Sequence, residues 1–175
     1  MKRIDATNGD LMGVDHYWRR TSAEATSGYS PEKLRDLVPS VHSDLFGSEQ
    51  RQGVVACAED TGDLMKALIR FGATDASQAP AVELFRRLPR DWDEDWLVGI
   101  MPPDAVRQVA AFFAEAPLDR WAEEHRAALE AELVELGWGG GTVLLRDMLR
   151  DAQAVTEVFR AAAAGGEAVI VKIDA

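Results

Sequence analysis

The chain has 175 residues, 47% of them hydrophobic and 28% charged, with a net charge of −11. That length and balance fit one globular domain with its own core and exclude a disordered or fibrous chain. The 30 acids against 19 basic residues argue against nucleic acid and against an anionic membrane surface as partners, because both recruit Lys and Arg.

No apolar run approaches the roughly 20 residues of a membrane-spanning helix, and Met1 to Asp10 is polar, without a signal-peptide core. A cytoplasmic protein is expected. Met12-Gly13 offers an alternative translation start, which would make residues 1 to 11 a flexible leader ahead of a single domain over residues 12 to 175. Met12 to Arg20 reads as the first strand, opened by the turn-like Asn8-Gly9-Asp10. Ser30-Pro31 supplies an N-cap and a first-turn proline, so a short helix runs from there toward Pro39. His42 to Gly53, polar and glycine-bearing, reads as loop, and Gly53 to Ala58 is a short apolar run of either type. Cys57 lies in that run. As the only cysteine it excludes an internal disulfide or a cysteine-based zinc site, and it reads as a buried small hydrophobe.

Thr61 to Phe71 reads as a helix with Leu64, Leu68 and Phe71 on one face and Gly72 at the C-cap position. Pro80 to Leu88 is another short helix, and Leu97 to Met101 a strand stopped by Pro102-Pro103-Asp104. Val106, Val109, Ala110 and Phe113 mark the next helix, which ends before Pro117. Leu118, Trp121, Ala122, His125, Leu129, Leu133 and Leu136 then form one continuous stripe at helical spacing. The longest helix is expected from about Thr142 to Ala164, and Gly165-Gly166 ends it. Ala168 to Ile173, β-branched on both faces, reads as a central strand covered on both sides. The expected fold is α+β: a single helix-rich domain with helices packed on a small mixed β-sheet.

The charge is unevenly placed. Between Asp91 and Glu135 there are 12 acids against only Arg107, Arg120 and Arg126, and the rest of the chain is nearly balanced. Asp91, Trp92, Asp93, Glu94, Asp95 and Trp96 combine acids with tryptophan, and Glu123 and Glu124 continue the excess. Acids steer a cationic surface inward and tryptophan supplies a typical binding hot spot, so these eight residues are the candidate surface for a basic protein partner. The plain reading is that Trp92 and Trp96 pack into the core and the acids are solvated. Asp91, Asp93 and Asp95 also repeat the opening of a calcium loop, but Trp96 stands where that loop needs glycine.

No enzyme signature is present. His16, His42 and His125 are too scattered for a zinc motif, no Gly-x-Ser-x-Gly elbow occurs, and neither a catalytic residue, a metal ligand nor a cofactor is assigned. An alternative ligand site is formed by His125, Trp138, Gly139 and Gly140, where the glycine run from Gly137 to Gly141 meets a helix start that could cradle an anion. The run lacks the Gly-Lys-Ser/Thr ending of a phosphate loop, and a helix C-cap and turn is its plain reading; for His125 the plain reading is a half-buried histidine on the apolar stripe.

Three segments carry a family resemblance: Met12-Gly13 before the first strand, Met101-Pro102-Pro103-Asp104-Ala105-Val106-Arg107-Gln108-Val109, and Phe159 to Ala163 followed by Gly165-Gly166 and Ala168 to Val171. On these the second half resembles the YfbM-like family of uncharacterised bacterial proteins. Where that family carries Leu-Asp-Lys-x-Trp-x-x-Leu-His, this chain reads Leu88-Pro89-Arg90-Asp91-Trp92. The resemblance implies a small cytoplasmic α+β protein and no residue role. Two functions follow as expectations: a non-enzymatic binding module, most concretely an immunity-type inhibitor of a basic bacterial toxin, or an enzyme or small-molecule binder with a pocket near Gly137 to Gly141.

Overall fold

A computed structural model describes residues 14–138 and 141–174. Four strands form one antiparallel sheet: β1 (Asp15–Thr21), β2 (Val55–Ala58), β3 (Val98–Met101) and β4 (Ala168–Asp174), in the order β2-β1-β4-β3. The expected mixed sheet is corrected to a fully antiparallel one, since β1 runs against both β2 and β4, and β3 runs against β4. β4 is central, as its β-branched sequence requires. Ala168 to Lys172 are all buried, with Val169 and Val171 on one face and Ile170 and Lys172 on the other.

Eight helices among the described residues cover the two faces unequally. On the broad face lie α3 (Gly62–Gly72), α4 (Ala79–Arg86), α5 (Pro103–Glu115), α6 (Leu118–Glu124), α7 (Arg126–Glu135) and α8 (Gly141–Gly165). Their core includes Leu64, Leu68, Val106, Leu129, Met148, Val155 and Phe159, packed on Trp18, Val169 and Val171. Burying each such large apolar side chain contributes roughly 1.5 to 3 kcal/mol. On the narrow face α1 (Pro31–Leu37) and α2 (Asp44–Arg51) bring Leu34 and Phe46 against Tyr17, Val98 and Ile170. Lys172 is buried there with its ammonium 2.8 Å from Asp174 and 4.5 Å above the Tyr17 ring.

Two helical expectations are corrected. His42 to Gly53 is not loop: Ser43 Oγ accepts the Phe46 N–H at 3.2 Å, capping α2, and Arg19 pairs with Glu49 at 2.7 Å to hold it on β1. The stripe from Leu118 to Leu136 is not one helix. It breaks at His125 (φ −107°, ψ 17°) into α6 and α7, so that both lie against α3. Gly72 is also more than a helix end. A Cβ there would stand 2.1 Å from Trp121 Cδ2, so glycine is what lets α6 close on α3. The longest helix and its stop agree with expectation: Gly166 has φ +64°, and Glu167 N–H returns to Ala162 O at 2.8 Å. Residues 1 to 11, Met12-Gly13, Gly139 and Gly140 lie outside the described residues.

Candidate functional site

The acidic aromatic segment becomes a tight turn leading into β3. Asp93 is used internally: its Oδ1 accepts the backbone N–H groups of Asp95 (3.0 Å) and Trp96 (2.9 Å), and its own N–H donates to Val98 O at 2.9 Å. The turn is tied down from two further sides. Arg35 of α1 donates to Trp96 O at 2.8 Å and to Ile173 O at 3.1 Å, and Ile173 N–H donates to Leu97 O at 2.9 Å. Leu97 takes φ +49°, an uncommon conformation for a branched side chain, which these bonds hold in place.

This geometry sorts the six residues. Trp92 is half-buried against the broad-face core, and Trp96 is 40% exposed at the turn. Asp91, Glu94 and Asp95 are exposed, whereas Asp93 is half-buried and committed to the turn. An oxygen spent on two N–H groups also leaves the Asp91-Asp93-Asp95 series poorly arranged for a cation. Among the described residues no group of three His, Cys, Asp or Glu side chains could hold a metal ion. Beside the turn, on the residues that lead into it, a cleft of about 770 Å³ is lined by Leu84, Leu88, Pro89, Met101, Pro102 and Ala105.

Glu123 and Glu124 end α6, which packs on α3, α7 and α8. Both are exposed and paired within their own stretch of chain, Glu123 with Arg126 at 2.8 Å and Glu124 with Arg120 at 3.5 Å. No hydrogen bond or ion pair joins them to the segment from Asp91 to Trp96 among the described residues. The eight candidate residues thus divide into two groups.

The alternative ligand residues are placed less favourably. His125 is half-buried with its ring 6.0 Å from that of Phe71, and Trp138 is half-buried against the broad-face core. Gly137 (φ +80°) and the Trp138 N–H bonded to Leu133 O at 2.8 Å form the C-terminal cap of α7. Neither His125 nor Trp138 lines any of five clefts that open on the described surface.

A different cluster went unread in the sequence. His16 on β1 is 4% exposed, and its Nε2 lies 2.9 Å from the Lys66 ammonium on α3, which is 3.6 Å from Asp63. Burial, reinforced by the Lys66 charge, pulls the imidazole pKa down from 6.5 to about 4, so the ring is neutral at pH 7 and accepts from Lys66. Its Nδ1 has no hydrogen-bond partner among the described residues. Burial likewise lowers the Lys66 pKa, against the pull of Asp63. Nearby, Thr61 Oγ1 donates to the buried Asp151 at 2.7 Å, and burial raises that carboxyl. His16 and Lys66 stand 50 residues apart, and only the pairing of β1 with α3 in three dimensions joins them, so no local motif announces the pair.

Compared with known protein families, curated proteins and solved structures, the chain matches none. No described helix is long and apolar enough to cross a membrane.

Proposed function

We propose that the protein is a binding module that docks a basic protein partner on the turn from Asp91 to Trp96, most concretely as an immunity-type inhibitor of a basic bacterial toxin. The observation that carries this reading is Trp96. It stands 40% exposed on a turn fixed by Asp93 and Arg35, flanked by the exposed carboxylates of Glu94 and Asp95. A preformed turn lowers the ordering cost of association, acids raise the rate of encounter, and an amphipathic ring is a typical anchor. The neighbouring cleft around Leu88 and Pro102 supplies apolar surface for the same partner. Glu123 and Glu124, on another part of the fold, contribute only to the long-range field. The YfbM-like grouping belongs to the same proposal and adds no residue role.

The test is an affinity capture from the native host at low and high salt, followed by titration of the retained basic protein against variants. Asp91→Lys, Glu94→Lys and Asp95→Lys combined, and separately Trp96→Ala, should each weaken binding at least about tenfold, which is about 1.4 kcal/mol. The triple charge variant should melt with the parent, because Asp91, Glu94 and Asp95 are exposed, whereas Trp96→Ala also gives up the covered part of its ring and is read on affinity. Asp93→Ala serves as the contrast: it frees two N–H groups and should cost about 1 kcal/mol of stability. Unchanged affinity in both binding variants would remove the proposal.

A further inference from the structure

The turn that carries Trp96 is held by a chain of charges that starts in the last strand. Asp174 on β4 serves two cations with its two oxygens: Oδ2 lies 2.8 Å from the buried Lys172 ammonium, and Oδ1 pairs with Arg35 of α1. Lys172 is itself seated 4.5 Å above the Tyr17 ring, so the carboxylate is anchored from the sheet side. Arg35 turns its other amino group to backbone, where Nη1 donates to Ile173 O at 3.1 Å and to Trp96 O at 2.8 Å. A guanidinium is rigid and planar. Fixing Nη2 on Asp174 therefore also fixes the direction from which Nη1 meets the Trp96 carbonyl.

The other bonds of the turn do a different job. Asp93 Oδ1 closes it on itself through the N–H groups of Asp95 and Trp96, and the bonds from Asp93 N–H to Val98 O and from Ile173 N–H to Leu97 O fix its base on the sheet. Among the described residues, Arg35 is the side chain from another element that bonds the turn. It does so beside Leu97, whose φ of +49° is unfavourable for a branched side chain and would favour relaxation of a turn left unrestrained. We propose that Arg35 and Asp174 are positioning residues for partner docking: Asp174 orients Arg35, and Arg35 holds Trp96 in the outward conformation that a partner meets. This rests on the binding reading of the turn and names what keeps the turn preformed.

The sign of one variant separates this role from simple charge. Arg35→Met removes a base from an acidic protein, which by itself favours a basic partner, whereas loss of the restraint disfavours it. Amide hydrogen exchange on the free full chain is the first measurement. Arg35→Met should speed exchange at Asp95 and Trp96 about tenfold or more while Ile170 and Val171 of the central strand keep the parent rate. Asp174→Asn should change the turn in the same direction, and Arg35→Lys, which keeps the charge without the fork, should fall between parent and Arg35→Met. Titrated with the basic protein retained in the affinity capture, Arg35→Met should bind about threefold or more weakly than the parent. Four results would overturn the proposal: parent-like exchange at the turn in Arg35→Met; exchange raised equally in the central strand, which makes Arg35 a general stabiliser; a parent-like turn in Asp174→Asn; or affinity equal to or above that of the parent in Arg35→Met. Failure of the binding reading shows elsewhere, as unchanged affinity in Trp96→Ala and in the triple charge variant, and the exchange measurement needs no partner.

Discussion

Acidification should weaken the fold through His16 in particular. In the unfolded chain its imidazole titrates near 6.5, and in the folded protein burial and the Lys66 charge bring it to about 4. Between those values the unfolded state binds a proton that the folded state does not. The stability tied to this ring is therefore complete above pH 6.5 and is lost as the pH falls through about 4. A separation of about 2.5 pH units, at about 1.4 kcal/mol per unit, makes the loss about 3 kcal/mol by pH 4. Asp15 and Asp151, whose carboxyls burial raises, act in the opposite direction over part of the same range, so the parent curve alone does not isolate the histidine. His16→Gln does: the amide is of similar size and does not titrate. Urea unfolding of both proteins at pH 7, 6, 5 and 4 should show the parent losing about 3 kcal/mol more than His16→Gln. Parallel curves would refute the reasoning, because they would mean that the ring is solvated or already paired when protonated.

Gly62→Ala tests the same corner by packing. A Cβ at Gly62 would lie 2.2 Å from His16 Nδ1, and the ring is held against Trp18 at 6.0 Å, so the substitution should destabilise by about 1 to 3 kcal/mol even though alanine favours helix; an equal or higher melting temperature would contradict this packing. Cys57 is buried and its thiol is pushed up by burial, so iodoacetamide at pH 8 should modify the urea-unfolded chain readily and the native protein hardly at all; rapid native labelling would show that the strand opens.

Features with local causes were readable from the chain itself. Ser30-Pro31 opens α1 because the serine hydroxyl meets the Lys33 N–H within one turn, at 3.3 Å, and β4 is central because Val169 to Val171 have nowhere to place β-branched side chains except two apolar faces. Ser43 gives the same local signal for α2, yet the helix survives through distant support, Phe46 against Tyr17 and Glu49 against Arg19, which a polar stretch with a glycine does not disclose. The break at His125 was hidden for a related reason: neither proline nor glycine marks it, and the apolar spacing runs straight through. At the turn from Asp91 to Trp96, composition showed the acids and the rings, but only the fold separates Asp93, which shapes the turn, from Glu94 and Asp95, which face outward. The His16 and Lys66 pair depends wholly on which strand α3 covers.

The strand order has a consequence for how the chain assembles. β1 and β2 come from the first third of the sequence and can pair early, but among the described residues β3 has no neighbour in the sheet except β4. β4 also supplies β1 with its second partner, in register from Asp15 opposite Asp174 to Thr21 opposite Ala168. During synthesis the sheet thus stays open at its middle until Ala168 to Asp174 emerge, with the apolar residues of β3 and the underside of α8 waiting for them. The sheet is therefore completed only through contacts of high sequence separation between β1 and β4, the kind of contact that slows folding.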